Sequence, residues 1–143
     1  MDAETEPQVT PTETDRALVR RFFDDFDEAF TTFDGHVIAD RYATPYLSCR
    51  SDGSAESFAD GEAIGRYFQG ILDRHRRGGV RSCRHRDLDV GTLGLHLLGT
   101  VTWELLDARR AAIVVWRESY VLIRRNDALA VRTSVDHPPA PAG

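Results

Sequence analysis

The spacing of apolar residues changes once along this chain, near residue 80, and that change limits its architecture more than any other feature. Upstream, apolar side chains recur every three or four positions, as one buried helix face requires. Val19, Phe22, Phe23, Phe26, Phe30 and Phe33 form such a stripe, and Thr12 stands three residues before Asp15 in a capping-box arrangement. Asp34-Gly35 breaks this first helix; Val37, Ile38 and Tyr42 predict a short second one ending before Pro45. Tyr46 to Ser51, the Asp52-Gly53 turn and the run to Phe58 predict a small hairpin. A third helix follows, capped by Asp60 and striped by Ala63, Ile64, Tyr67, Phe68, Ile71, Leu72 and His75, and Gly78-Gly79 end it. Downstream the alternation predicts strands near 81–92, 95–107, 111–125 and 128–136. Helices first and an antiparallel meander last make an α+β protein, with three helices on one sheet face.

Length and charge narrow the possibilities further. A chain of 143 residues supports one domain with a real core, since about 70% of the unfolded surface is buried at that size. We place the folded domain at 14–137, between an acidic, flexible arm at 1–13 and a tail at 138–143. The formal charge of −5 argues against a general nucleic-acid binder, and the longest apolar run, Ala111 to Trp116, is far short of the roughly 20 residues of a membrane helix. No apolar leader follows Met1, so a cytoplasmic location is expected. Cys49 and Cys83 lack C-x-x-C spacing and are expected to be reduced. All 18 basic residues are arginine, which excludes lysine Schiff-base chemistry and a Walker-type phosphate loop.

One strand is apolar on both faces. Val114, Trp116, Tyr120 and Leu122 share one phase; Ile113, Val115, Val121 and Ile123 share the other. With the helices committed to the first face, a second copy of the chain is the simplest cover for the other, so a homodimer through the outer sheet face is expected.

The order of these elements resembles the nuclear transport factor 2-like superfamily, which includes the ketosteroid isomerases and the SnoaL-like polyketide cyclases. The strings that carry the resemblance are Phe33-Asp34-Gly35, Ile38-Ala39-Asp40-Arg41-Tyr42-Ala43-Thr44-Pro45 and Phe58-Ala59-Asp60-Gly61-Glu62-Ala63-Ile64 with Tyr67-Phe68. Trp116-Arg117-Glu118-Ser119-Tyr120 and the ending Ser134-Val135-Asp136-His137 complete it. The resemblance implies a cone: a curved, mixed, mainly antiparallel sheet wrapped around three helices, with a pocket at its open end. It does not name a reaction, because that fold serves isomerases, dehydratases, cyclases and accessory subunits alike. Ketosteroid isomerases carry a tyrosine, a general-base aspartate and a second aspartate; the equivalents here are Phe22 or Phe23, Cys49 or Arg50, and Glu118, so only the last keeps a carboxylate. The Arg-x-Asp of limonene epoxide hydrolases is replaced by Thr102-Trp103-Glu104-Leu105.

Two candidates for acid-base catalysis remain. Glu118 lies on the phase that the resemblance turns toward the cavity, where lost hydration raises a carboxyl pKa; a charge pair with Arg50 would depress it instead. His137 shares a phase with Leu129, Val131, Thr133 and Val135 and is a candidate proton shuttle, whereas Asp136 is expected to face outward unless a bulge intervenes. Tyr42, Tyr46, Arg50, Trp103, Trp116 and Tyr120 are the candidate ligand-binding residues, around a small hydrophobic or aromatic molecule. The alternative is a non-catalytic accessory or dimerisation module whose cone is filled by Trp103, Trp116 and Phe68. His75, Cys83 and His85 match no zinc pattern, so no metal and no cofactor is expected. The arginines from Arg74 to Arg86 lack the interleaved aromatics of single-strand binders and read as a solvated edge.

Overall fold

The computed structural model describes residues 10–139. The first nine and last four residues, which hold most of the expected arm and tail, lie outside them. The elements run α1 (Glu13–Phe30), α2 (Gly35–Ala39), β1 (Tyr42–Cys49), β2 (Ala55–Phe58), α3 (Gly61–Arg77), β3 (Ser82–Leu93), β4 (His96–Leu106), β5 (Ala112–Arg125) and β6 (Ala128–Asp136). The class is α+β.

The helix ends follow from local chemistry. Thr12 and Asp15 exchange both hydrogen bonds of a capping box at 3.0 Å, and Asp60 accepts from the Ala63 amide at 2.9 Å. α1 buries Val19, Phe22, Phe23, Phe26 and Phe30, each contributing about 1.5–3 kcal/mol of transfer free energy if fully buried. The second helix is shorter than the sequence predicts: it stops at Ala39, and Tyr42 opens β1, with Pro45 inside the strand. Hydrogen bonding to β6 outweighs the local helical spacing here; the Arg41 carbonyl accepts from the Val131 amide at 2.9 Å.

The six strands form one open sheet in the order β2-β1-β6-β5-β4-β3. Every pairing is antiparallel except β1 with β6, so the sheet is mixed. Its inner face packs on the helices. Gly99 of β4 admits the Phe23 ring, which sits 2.8 Å from where a Cβ would stand.

A bulge in β6 decides which residues face inward. Leu122 pairs with Val131 but Val121 pairs with Thr133, leaving Arg132 as the extra residue. The Arg132 guanidinium donates to the Pro45 carbonyl at 2.7 Å. Before the bulge, Leu129 and Val131 point inward; after it the phase inverts, turning Ser134 and Asp136 inward and Val135 and His137 outward.

The outer face is mixed. Leu47, Val115 and Val135 are 41%, 51% and 41% exposed, while Glu104 is buried there under Arg84 at 2.6 Å and Arg86 at 3.4 Å. Part of the arginine stretch is thus spent on an ion pair that holds the Glu104 carboxyl below its usual range. Among the described residues no helix is long and apolar enough to cross a membrane.

Candidate functional site

The aromatic faces of α1 and α3 and the inner face of the sheet do not fill the space between them. They enclose a cavity of about 170 Å³, walled by Phe26, Phe30, Tyr42, Tyr46, Tyr67, Phe68, Trp103, Trp116 and Tyr120, with Ile38, Ile71, Leu72 and Leu105. Polar groups are few: Ser48, His75, Cys83, Glu118 and Asp136. Alternation along β5 places Trp116, Glu118 and Tyr120 on the cavity side, and the bulge brings Asp136 directly opposite Glu118 on β6.

Glu118 and Asp136 act as one unit. Lost hydration pushes the Glu118 carboxyl up to about 7, and the neighbouring Asp136 charge pushes the same way. Glu118 is half-buried and lines the cavity. The Trp116 indole N–H donates to Glu118 Oε1 at 2.8 Å, and the Tyr120 and Ser134 hydroxyls help to hold its charged form. Asp136 is raised by burial too, against a hydrogen bond with Glu118 and the fields of Arg50 and His137. Among the described residues, neither carboxylate forms an ion pair. With both pKa values raised, ionising the second of two facing carboxyls costs more than ionising the first.

The tyrosines surround this pair. Trp103 Nε1 donates to the Tyr120 hydroxyl at 2.7 Å, and the Tyr46 hydroxyl shares a 2.6 Å hydrogen bond with Ser134 Oγ. Tyr42 is only 4% exposed, and no buried side-chain oxygen or nitrogen among the described residues lacks a hydrogen-bond partner. It lines the cavity, and burial and the Glu118 and Asp136 charges raise its pKa, so it stays a neutral phenol.

The structure brings Tyr42, Tyr46, Trp103, Trp116, Tyr120 and Glu118 together and leaves out two of the residues expected from sequence. Arg50 is not in the lining. Its guanidinium is bonded to Glu56 at 2.6 Å and lies 6.0 Å from the Tyr67 ring centroid. His137 leaves the cavity for the outer face because of the bulge, and its Nε2 meets Ser119 Oγ at 2.7 Å, in a chain continued by Thr100. A proton exchange between Glu118 and His137 therefore has no geometry here; Asp136 occupies the place that His137 was expected to fill. Sequence reasoning also missed Ser134, because a one-residue insertion in a strand leaves no mark in an alternating polar run. Phe68 and His75 were visible as part of a helix stripe, but a stripe does not separate core from pocket wall.

Outside the cavity, Asp24, Asp27 and His85 bring ligand-type atoms within 4.8 Å of one another. His85 Nδ1 and Asp27 Oδ2 are 2.9 Å apart, and this hydrogen bond raises the His85 pKa. Asp27 also lies 3.8 Å from the Cys83 thiol, whose pKa burial raises, so Cys83 is no thiolate nucleophile.

Comparison with known proteins agrees with this architecture. No curated protein matches the chain. Among solved structures, Aln2 from a Streptomyces species superposes with a TM-score of 0.71 at 15% identity, covering 91% of this chain and 94% of its own. A dehydratase candidate of the NTF2-like family from Streptomyces avermitilis gives 0.65 at 16% identity, over 90% and 99% of the two chains. An NTF2-like protein with a cystatin-like fold from Novosphingobium aromaticivorans gives 0.66 at 9% identity, over 87% and 81%. At such identities these likenesses establish the fold alone. The family profile described as NTF2-like protein (DUF6841) matches residues 13–139, nearly the whole chain, and the chain belongs to that NTF2-like family.

Proposed function

We propose that the protein binds a small hydrophobic or aromatic molecule in its cone and moves a proton on it without a cofactor. The observation that carries this reading is the Glu118–Asp136 pair, two facing, half-buried carboxyls with raised pKa values on the wall of an aromatic cavity. The ionised member is a base poised near neutrality. The protonated member is an acid beside it. The neutral Tyr42 phenol on the cavity wall supplies a donor for an oxygen that gains charge as the base removes a neighbouring C–H proton. Such chemistry serves isomerisation, dehydration or cyclisation. The dehydratase candidate among the structural neighbours fits this range.

The volume limits the ligand. At about 170 Å³ the cavity is close to the ~150 Å³ of a cavity that holds benzene, and below the ~300 Å³ of ordinary drug-sized pockets. One ring fits; a steroid does not. This modest size is also what favours the second reading, an accessory module whose cone is largely filled by Trp103, Trp116 and Phe68. In either case we propose a homodimer through the outer face at Leu47, Val115 and Val135.

The test is deuterium uptake. A panel of single-ring and short-chain ketones is incubated with the protein in D2O and followed by proton NMR. Exchange of the protons next to the carbonyl, lost in Glu118→Gln and in Asp136→Asn, supports the catalytic reading. No exchange above background for any member, or equal exchange by the variants, rejects it.

A further inference from the structure

We propose that the cavity takes a small organic cation: a protonated amine carried on a single ring or an equally small aliphatic group. This rests on the reading of the cavity as a ligand site, and names the ligand's charge. The first observation is an uncompensated charge. Of the chain's 18 arginines none lines the cavity, and the one basic wall residue, His75, is held neutral by burial and by the Arg74 charge. Arg50, whose field reaches Asp136, is already engaged by Glu56. Elsewhere the chain pairs its acids freely, Glu104 taking two arginines and Asp89 receiving Arg117 at 2.7 Å. Among the described residues neither Glu118 nor Asp136 has such an ion-pair partner.

The second observation is independent of that pair. The Tyr42 side chain, 4% exposed, lines the cavity, and its phenol oxygen can accept a hydrogen bond from a donor placed there. An ammonium group brings two or three N–H donors. It would satisfy this oxygen and the carboxylates together. The third observation is the wall itself: Tyr42, Tyr46, Tyr67, Trp103 and Trp116 line it, and aromatic rings of this kind attract a desolvated cation. A carboxylate ligand could accept from the Tyr42 hydroxyl but would be repelled by Glu118 and Asp136 and would gain nothing from the aromatic wall.

Every ionisable group around the pair is consistent with this. Tyr42 and Tyr46 on β1 and Tyr120 on β5 have raised pKa values, as does the Cys83 thiol on β3, so these stay neutral; Tyr67 and His75 face it from α3. His137 and Arg50 act on Asp136 from outside the wall. When a cation enters, the shared proton has no remaining role. It leaves to the buffer, one carboxylate pairs with the ammonium, and the other is free as the base.

The experiment is titration calorimetry of the full chain near neutral pH with benzylammonium, benzyl alcohol and benzoate, in two buffers of different ionisation enthalpy. The expected result is benzylammonium binding at least about tenfold more tightly than benzyl alcohol, with proton release revealed by an enthalpy that differs between buffers. Glu118→Gln and Asp136→Asn should each cut that preference to about twofold or less, with thermal unfolding confirming that both variants fold. Benzyl alcohol or benzoate binding as tightly as the amine overturns the cation proposal and leaves the cavity as a ligand site. If none of the three binds, the cavity reading falls with it.

Discussion

Glu118 was readable as a candidate because a carboxylate within Val114, Trp116, Tyr120 and Leu122 is out of place unless the site uses it. Its partner was not readable. Sequence alternation put Asp136 outside and His137 inside, and the single extra residue Arg132 exchanged them. The energetic consequence of the pair is a pH-dependent cost to folding. A carboxyl whose folded pKa exceeds its unfolded one carries no penalty below the unfolded value and the whole penalty above the folded one. For Glu118 the penalty grows between its ordinary value of 4.5 and about 7. Glu118→Gln is therefore expected to stabilise the fold by about 1–3 kcal/mol at pH 8 and by clearly less at pH 5. Urea unfolding at the two pH values checks this, and a variant less stable than wild type at pH 8 would remove the claim of a strained carboxyl.

Elements were legible wherever their own residues determined them. The Thr12–Asp15 box, the Asp60 cap and the Gly78 end of α3 are local chemistry, and each stands where the sequence puts it. β1 differs because its start depends on β6, ninety residues away, as the Arg41–Val131 hydrogen bond shows. Helix packing is another long-range property. A Cβ on Gly35 would run into the Gly65 carbonyl and stand 2.7 Å from the Gln69 amide, backbone that cannot step aside, whereas a Cβ on Gly70 in exposed α3 meets nothing. Gly35→Ala should lower stability by about 2–4 kcal/mol, and Gly70→Ala should raise it by about 0.5–1 kcal/mol. Thermal melts of the two variants test the α2–α3 contact; similar midpoints would mean that the helices are not packed as described.

The whole molecule shows why the fold could be read further than the site. The change of period near residue 80 and the total of apolar positions specify an α+β cone, and many sequences satisfy that pattern. A cavity is instead a place where packing is left unfinished, and no single residue records it: Trp103 and Trp116 would look the same in a filled cone. The outer face belongs to this scale too. Leu47, Val115 and Val135 remain exposed, and the two-sided apolar pattern of β5 is the reason we propose a dimer. Light scattering should give twice 16.0 kDa for the wild type and the single-chain mass for a Val115→Glu, Val135→Glu double variant. A wild-type monomer at working concentrations would contradict it.

The proposed acid-base chemistry requires a proton shared between Glu118 and Asp136, and the most direct measurement is a carbon-13 NMR titration of their carboxyl carbons. Two linked steps are expected in each signal, one of them well above the ordinary carboxyl range and near 7, with Asp136→Asn collapsing Glu118 to a single step. If both carbons instead titrate independently at about 4, as solvated carboxylates do, the pair holds no proton at neutral pH and the proposed acid-base function is wrong.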